Sequence, residues 1–292
     1  MRIRVIAADS MGVRSIATVV EACGHVVGID LGAALGPRRY GLPPHPIELK
    51  RLEESLDSVY RWILDSDIVI ITHYHYDHYV RDRPDLYKGK VLLVKNPVSD
   101  INRSQRLRAY RFLRKNGVED LARVHYADGS LFRFGKLEIE FSKPLWHGEE
   151  GTKLGKVLMV LVRCEGESFV FASDVQGPMN SEALEVLESW GGDVVLMDGP
   201  PTYFAGYKVS RESVDKGLEY MLELVSKARP RTLIVDHHLI RDLGYRNIIS
   251  RHLEAASRAG VSLVTAAEFM GIREEPLEAM RKELWRSRSS ES

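Results

Sequence analysis

The 292-residue sequence predicts an α/β fold in which sheets and helices stack in layers. Three observations predict it. Short β-rich segments dominate the chain up to about residue 173, whereas helical and strand patterns alternate between 181 and 264. No internal repeat or linker interrupts the chain before residue 273, so residues 1–272 read as one domain, with 273–292 a charged C-terminal helix and frayed tail. Hydrophobic residues make up 44% of the chain, enough at this length to bury a large core without help from a metal or disulfide.

Residues 3–8 form a short apolar strand. Two β-rich runs, 15–22 and 25–30, flank Cys23-Gly24, a hairpin turn on composition. Residues 36–46 contain four prolines and read as a loop, because proline serves neither an inner helix turn nor a ladder. Between 47 and 64, Leu49, Leu52, Leu56, Val59, Ile63 and Leu64 recur at helical spacing. Strands follow at 67–72 and 91–94, then an arginine-rich helix at 104–115, with Tyr110 and Phe112 expected to face the core. Further strands are expected at 136–141, 156–162 and 168–172. Helices at about 181–190, 212–228 and 246–259 then alternate with strands at 193–197, 231–235 and 261–264.

Charge and cysteine content narrow the function classes. Lys and Arg number 41, as do Asp and Glu, which disfavours a protein that coats nucleic acid or anionic membrane. The N-terminal apolar run is too short for a signal peptide, and no segment approaches the ~20 apolar residues of a membrane span. A cytoplasmic protein without a membrane partner is the expectation. Scarce Gln and Asn beside abundant Arg suggest a thermophile source. Cys23 and Cys164 are expected to be reduced, Cys164 as packing and Cys23 without a partner.

Six of the ten histidines sit in three places, each after an apolar strand: His73, His75 and His78 with Asp77; His147; and His237 with His238. Asp174 ends another strand. Imidazole and carboxylate at strand ends suit a divalent transition metal, because a sheet holds ligands rigidly while loops stay open to substrate. One histidine after a strand is ordinarily structural; four candidate ligands within residues 73–78 are hard to explain as packing.

His73-x-His75-x-Asp77-His78, followed by His147, Asp174 and a histidine at 237 or 238, resembles the metallo-β-lactamase superfamily over residues 1–272. The hairpin ending in Gly28-Ile-Asp30-Leu-Gly32 fits as well. Shorter strings, such as Asp9-Ser-Met-Gly, Gly36-Pro-Arg-Arg39, Asp198-Gly-Pro-Pro-Thr-Tyr203 and Asp236-His-His-Leu239, resemble an archaeal branch of uncharacterised predicted hydrolases. The resemblance implies a four-layer αββα sandwich with a binuclear site at one edge. It implies that His73, His75 and His147 hold one metal, that Asp77, His78 and the late histidine hold a second, and that Asp174 bridges them. Zinc suits this set best, with iron or manganese as alternatives. A TIM-barrel amidohydrolase would carry its His-x-His after the first strand. A flavodiiron protein would replace the second histidine with an acid, and His75 keeps it.

Side-chain alternation lets only one of His237 and His238 reach the metals. Related motifs favour His237, leaving His238 as a substrate contact or proton donor. Thr72, Ser173 and Asp236 adjoin ligands in sequence and are candidates to orient them. Asp77 could orient the attacking water as well as bind metal. The implied activity is attack of a metal-bound hydroxide on an ester-type bond, with a phosphoester favoured by the arginines. A nuclease or RNA-processing enzyme, or a thioester or lactone hydrolase, would use the same site. Arg39 is a candidate clamp for an anionic group and Tyr203 a candidate pocket wall. The basic run from Arg103 to Lys115 is read as a solvated helix face in preference to a nucleic-acid contact. The expected partner is therefore a small-molecule or phosphoester substrate.

Overall fold

The structure is a computed structural model that describes residues 1–289, so part of the expected Ser/Arg tail lies outside the described residues. Strands β1 (Arg2–Ala8), β2 (Ile16–Ala22), β3 (His25–Ile29), β4 (Ile68–Ile71), β5 (Val91–Val94) and β6 (Arg123–Tyr126) form one sheet in that order. The first three pair antiparallel and the rest parallel. A second sheet starts with β7 (Leu131–Phe134) and β8 (Leu137–Phe141). After a ribbon of β9 (Leu145–Trp146) and β10 (Lys156–Val157), it continues with β11 (Val160–Cys164), β12 (Glu167–Phe171), β13 (Val194–Met197), β14 (Thr232–Val235) and β15 (Ser262–Val264). Its order is β15-β14-β13-β12-β11-β8-β7, and here too an antiparallel half adjoins a parallel half.

Alternation along these strands builds the layers. Ile68 and Ile70 face the second sheet and pack with Phe169 and Phe171, whereas Val69 and Ile71 face Val59 and Ile63 of helix α1 (Pro46–Asp65). Helices α2 (Arg103–Tyr110) and α3 (Val118–Leu121) complete that outer layer, which also buries Phe112. On the far side, Val170 and Ala172 pack against α4 (Ser181–Trp190) and α5 (Arg211–Lys227); α6 (Tyr245–Ile248), α7 (Ser250–Ala259) and α8 (Ala266–Phe269) follow. The result is the expected αββα sandwich of two stacked sheets and not a closed barrel. Among the described residues no helix is long and apolar enough to cross a membrane.

Helix α1 starts one residue earlier than its apolar pattern suggests. Pro46 occupies its first turn, where a missing N–H costs nothing, and His45 and Glu48 form a capping box. Leu49 and Leu64 are each 54% exposed, so only part of the periodic stripe is core. Tyr110, expected inside, is 58% exposed, because the helix widens into a π turn from Arg111 and turns Phe112 and Leu113 inward instead.

The cysteines correct the expectation of free thiols. Cys23, in the β2–β3 turn, is disulfide-bonded to Cys164 at the end of β11, with Cα atoms 5.9 Å apart. The bond staples the two sheets together. Their sequence separation of 141 hid a meeting that only sheet stacking creates.

The final helix, α9 (Leu277–Ser289), docks on the loop before α1. Arg281 is fully buried and pairs with the equally buried Glu48, while also donating to the Leu42 carbonyl. Glu278 accepts from Arg14 and from the Gly36 N–H. Burial opposes ionisation of Glu278, but the Arg14 hydrogen bond overcomes it and holds the carboxyl down at about 2. A depressed folded-state pKa stabilises above the unfolded value and is lost as pH falls through the folded one. Melting curves of wild type and Glu278→Gln should therefore differ most above about pH 5 and converge towards pH 2; a gap independent of pH would contradict this pairing.

Candidate metal centre

The chemistry-bearing residues lie just beyond strand ends, all but His147 at the parallel-paired strands of the two sheets. Asp30 follows β3, the segment 73–78 follows β4, His147 follows β9, Asp174 closely follows β12, Asp198 follows β13 and His237 follows β14. Strand carboxyl ends open onto a crevice, which places side chains from distant sequence around one point. Asp174 Oδ2 occupies that point. It lies 3.1 Å from His147 Nε2, 3.3 Å from His78 Nε2, 3.6 Å from His73 Nε2 and 3.6 Å from His237 Nε2. Tetrahedral zinc with ligands at ~2.1 Å has donor–donor edges of about 3.4 Å, which these spacings match.

Two sets of donors flank Asp174. His73, His75 and His147 converge with it on one side, and Asp77, His78 and His237 converge on the other. Asp77 Oδ1 is 3.9 Å from His78 Nε2, and Asp77 Oδ2 is 3.7 Å from His237 Nε2. His238 also comes near Asp174, but its Nδ1 is engaged in a hydrogen bond with Asp198 Oδ2 at 2.7 Å. The backbone separates the two neighbours: His237 has a φ of 57°, and Asp30, Ser173 and Gln176 at the same edge have φ of 47°, 55° and 57°. Such left-handed geometry in residues other than glycine is strained and gathers where a site dictates side-chain direction.

Outer groups fix the rings. His78 Nδ1–H donates to Asp30 Oδ2 at 2.9 Å, and His237 Nδ1–H donates to Asp9 Oδ2 at 2.7 Å, turning both Nε2 atoms towards Asp174. Arg241 Nε donates to the other oxygen of Asp9 at 2.8 Å. Thr72 gives its hydroxyl proton to Asp30, leaving its oxygen to accept from His73 Nδ1 at 3.1 Å and from Ser173 at 2.7 Å. Asp236 does otherwise than expected: it accepts from the backbone N–H groups of Ser10, His237 and Ala266 and so ties loops together. Sequence reasoning noted Asp9 and Asp30 only within resembling strings and missed their role. Each is a carboxylate just beyond an apolar strand, the same signal that revealed Asp174.

Gly32 lets the loop approach closely, since a Cβ there would lie 2.2 Å from the Tyr79 backbone nitrogen, beside His78. Asp30→Asn should weaken metal binding on the order of 10- to 100-fold, as loss of an outer partner does elsewhere. Competition with a chelating dye would measure it, and an unchanged affinity would contradict the role given to Asp30.

Without cations the cluster is electrostatically lopsided. Burial holds His75 down to about 3 and His73 well below the ordinary imidazole range, so both rings are neutral donors. Burial also opposes ionisation of Asp77 and Asp174, yet the facing His78 and His237 rings keep both carboxyls below their usual range. Against burial, Asp174 and Asp30 raise His78 well above normal. Burial and Arg241 oppose protonation of His237, but Asp174 and Asp9 lift it to about 9. Those imidazolium protons occupy positions that divalent ions would compete for. At Asp198 and His238 burial dominates, raising the acid and lowering the ring.

The site opens into a cavity of about 1610 Å³ lined by His75, Asp77, His147, His238, Arg39 and Tyr203 among others. Of the arginine-rich helix only Arg108 reaches this cavity; Arg103, Arg106 and Arg114 line a separate groove with Leu107 and Tyr126.

Comparison with known proteins agrees with this geometry. Residues 58–238 match the family model described as the β-lactamase superfamily domain. The chain is 57% identical over 290 residues to a UPF0282 protein of Aeropyrum pernix, covering 98% of this chain and 99% of that one. Among solved structures, the metallo-β-lactamase fold protein YhfI from Bacillus subtilis aligns with a TM-score of 0.52 at 13% identity, over 90% of this chain and 95% of its own. The isothiocyanate hydrolase from Delia radicum gut bacteria aligns with a TM-score of 0.53 at 16% identity, over 87% of this chain and 94% of its own.

Proposed function

Because the chain belongs to the UPF0282 family within the β-lactamase superfamily, we propose that it is a binuclear metal-dependent hydrolase of ester-type bonds, phosphoesters foremost. The observation that carries this reading is the convergence of four imidazole Nε2 atoms on Asp174 Oδ2. His73 Nε2, His78 Nε2 and Asp174 Oδ1 are buried without any hydrogen-bond partner, an unfavourable state that metal coordination would relieve. The donor set thus fits two divalent ions. His73, His75 and His147 would hold the first and Asp77, His78 and His237 the second, with Asp174 shared. The His/Asp set suits zinc best, with iron and manganese as the alternatives. Two such ions supply activated water and polarise the bond to be cut.

The chain's own residues do the rest. Asp77 is held ionised beside the cavity, where it accepts a hydrogen bond from the attacking water and orients it. His238 faces the cavity beside His147 and is steered by Asp198. With the acid raised and the ring lowered, Asp198 holds a proton facing Nδ1 and the neutral ring carries its own on Nε2, so His238 Nε2 can protonate a leaving oxygen as Asp198 reprotonates Nδ1. Protein loaded with zinc or manganese should hydrolyse bis(p-nitrophenyl) phosphate, and Asp77→Ala should not. Turnover of p-nitrophenyl thioesters or lactones instead, with none of the phosphodiester, would keep the hydrolase and overturn the phosphoester assignment.

A further inference from the structure

The cavity is larger than one ester bond requires, and its cations are unevenly matched. Arg38, Arg39, Arg108, Lys153 and Lys208 line it, and none has a carboxylate within 4.0 Å among the described residues. The facing acids are partly engaged, since Glu149 accepts from the Ser213 hydroxyl and Asp242 from the Thr202 hydroxyl and the Gly244 N–H.

Arg39 is the most constrained of these cations. Its guanidinium carbon lies 4.3 Å from the Tyr203 ring centre and 4.9 Å from that of Tyr40. One terminal nitrogen donates to the Arg241 carbonyl at 2.8 Å, whereas Nε is buried with no acceptor. A guanidinium stripped of water at Nε, anchored by a carbonyl and flanked by two aromatic rings is preorganised to turn its remaining N–H groups to an oxyanion. Its loop is fixed from behind by α9. Glu278 accepts from Gly36, the Tyr40 hydroxyl donates to the Ala279 carbonyl, and Trp285 donates to the Pro43 carbonyl.

We propose that Arg39, flanked by Tyr40 and Tyr203, forms an anion subsite apart from the metal centre, and that the substrate carries a phosphate group there in addition to the bond that is cut. The subsite rests on the reading of the centre as a hydrolase for its meaning, but its binding is measured separately. The probes are alkane bisphosphonates of three, five and eight carbons, whose C–P bonds resist hydrolysis, each compared with the corresponding monophosphonate. They are titrated calorimetrically into full-length, metal-loaded protein.

For at least one chain length the second phosphonate should tighten binding about tenfold or more. In Arg39→Gln that advantage should fall to within about twofold, with metal content and melting temperature unchanged. Arg39→Lys, which keeps the charge but not the fork, should lie between. An advantage that survives in Arg39→Gln, or no advantage at any length, would overturn the subsite and show the Arg39–tyrosine contacts to be loop packing. Should Arg39→Gln fail to fold, the same ratio in Arg39→Lys decides: an undiminished advantage overturns the proposal. Arg39-dependent binding by a protein that cleaves no ester would instead sink the hydrolase reading and leave the subsite standing.

Discussion

Asp174→Ala should lower hydrolysis on the order of 10³-fold or more while leaving the circular dichroism spectrum unchanged. The expectation follows from one oxygen. Asp174 Oδ2 lies within 3.6 Å of four imidazole nitrogens contributed by segments after β4, β9 and β14. Removing it deletes the group shared by both donor sets and leaves buried rings facing one another without the carboxylate that balances them. A shared ligand stabilises charge on both sides at once, and several kcal/mol of transition-state stabilisation corresponds to about three powers of ten. The fold should survive, because Asp174 lies outside the three apolar clusters that join the layers. Turnover and metal content of the purified variant measure the effect. A variant that keeps both would overturn the assignment of Asp174.

The second large effect concerns stability. Cys23→Ser should cost about 5 kcal/mol, since a crosslink closing a loop of more than 100 residues removes that much chain entropy from the unfolded state. The bond joins the β2–β3 turn of one sheet to β11 of the other, so its loss falls on the stacking of the two sheets and not on the metal centre. For a chain of this size the melting temperature should drop by roughly 10 °C or more. Calorimetry with and without reductant gives the check: reductant should lower the melting temperature of wild type and leave Cys23→Ser where it is. Equal responses would mean that the bond contributes nothing.

Local periodicity made most of the architecture legible. The strands 91–94 and 193–197 and the helix 181–190 come from patterns that repeat within a few residues, and they recur in the structure within one residue. The ligand candidates were legible for a related reason: a short apolar strand followed at once by histidine or aspartate is a local signal. What escaped were pairings between distant segments. Cys23 and Cys164 meet only when the sheets stack, and Asp9 reaches His237 only when β1 and β14 end at the same edge. Tyr110 shows a different failure, because its helix loosens into a π turn and shifts the buried face by one residue. Asp236 was adjacent to a ligand in sequence yet serves the backbone, since position beside a ligand does not fix where a side chain points.

The measurement closest to the central claim is the metal content of the purified full-length chain, paired with turnover of bis(p-nitrophenyl) phosphate before and after chelation. Two divalent ions per chain are expected, with turnover lost on chelation and regained when zinc or manganese is restored. Hydrolysis that persists in fully chelated protein, or a chain that takes up no stoichiometric metal, would contradict the binuclear hydrolase.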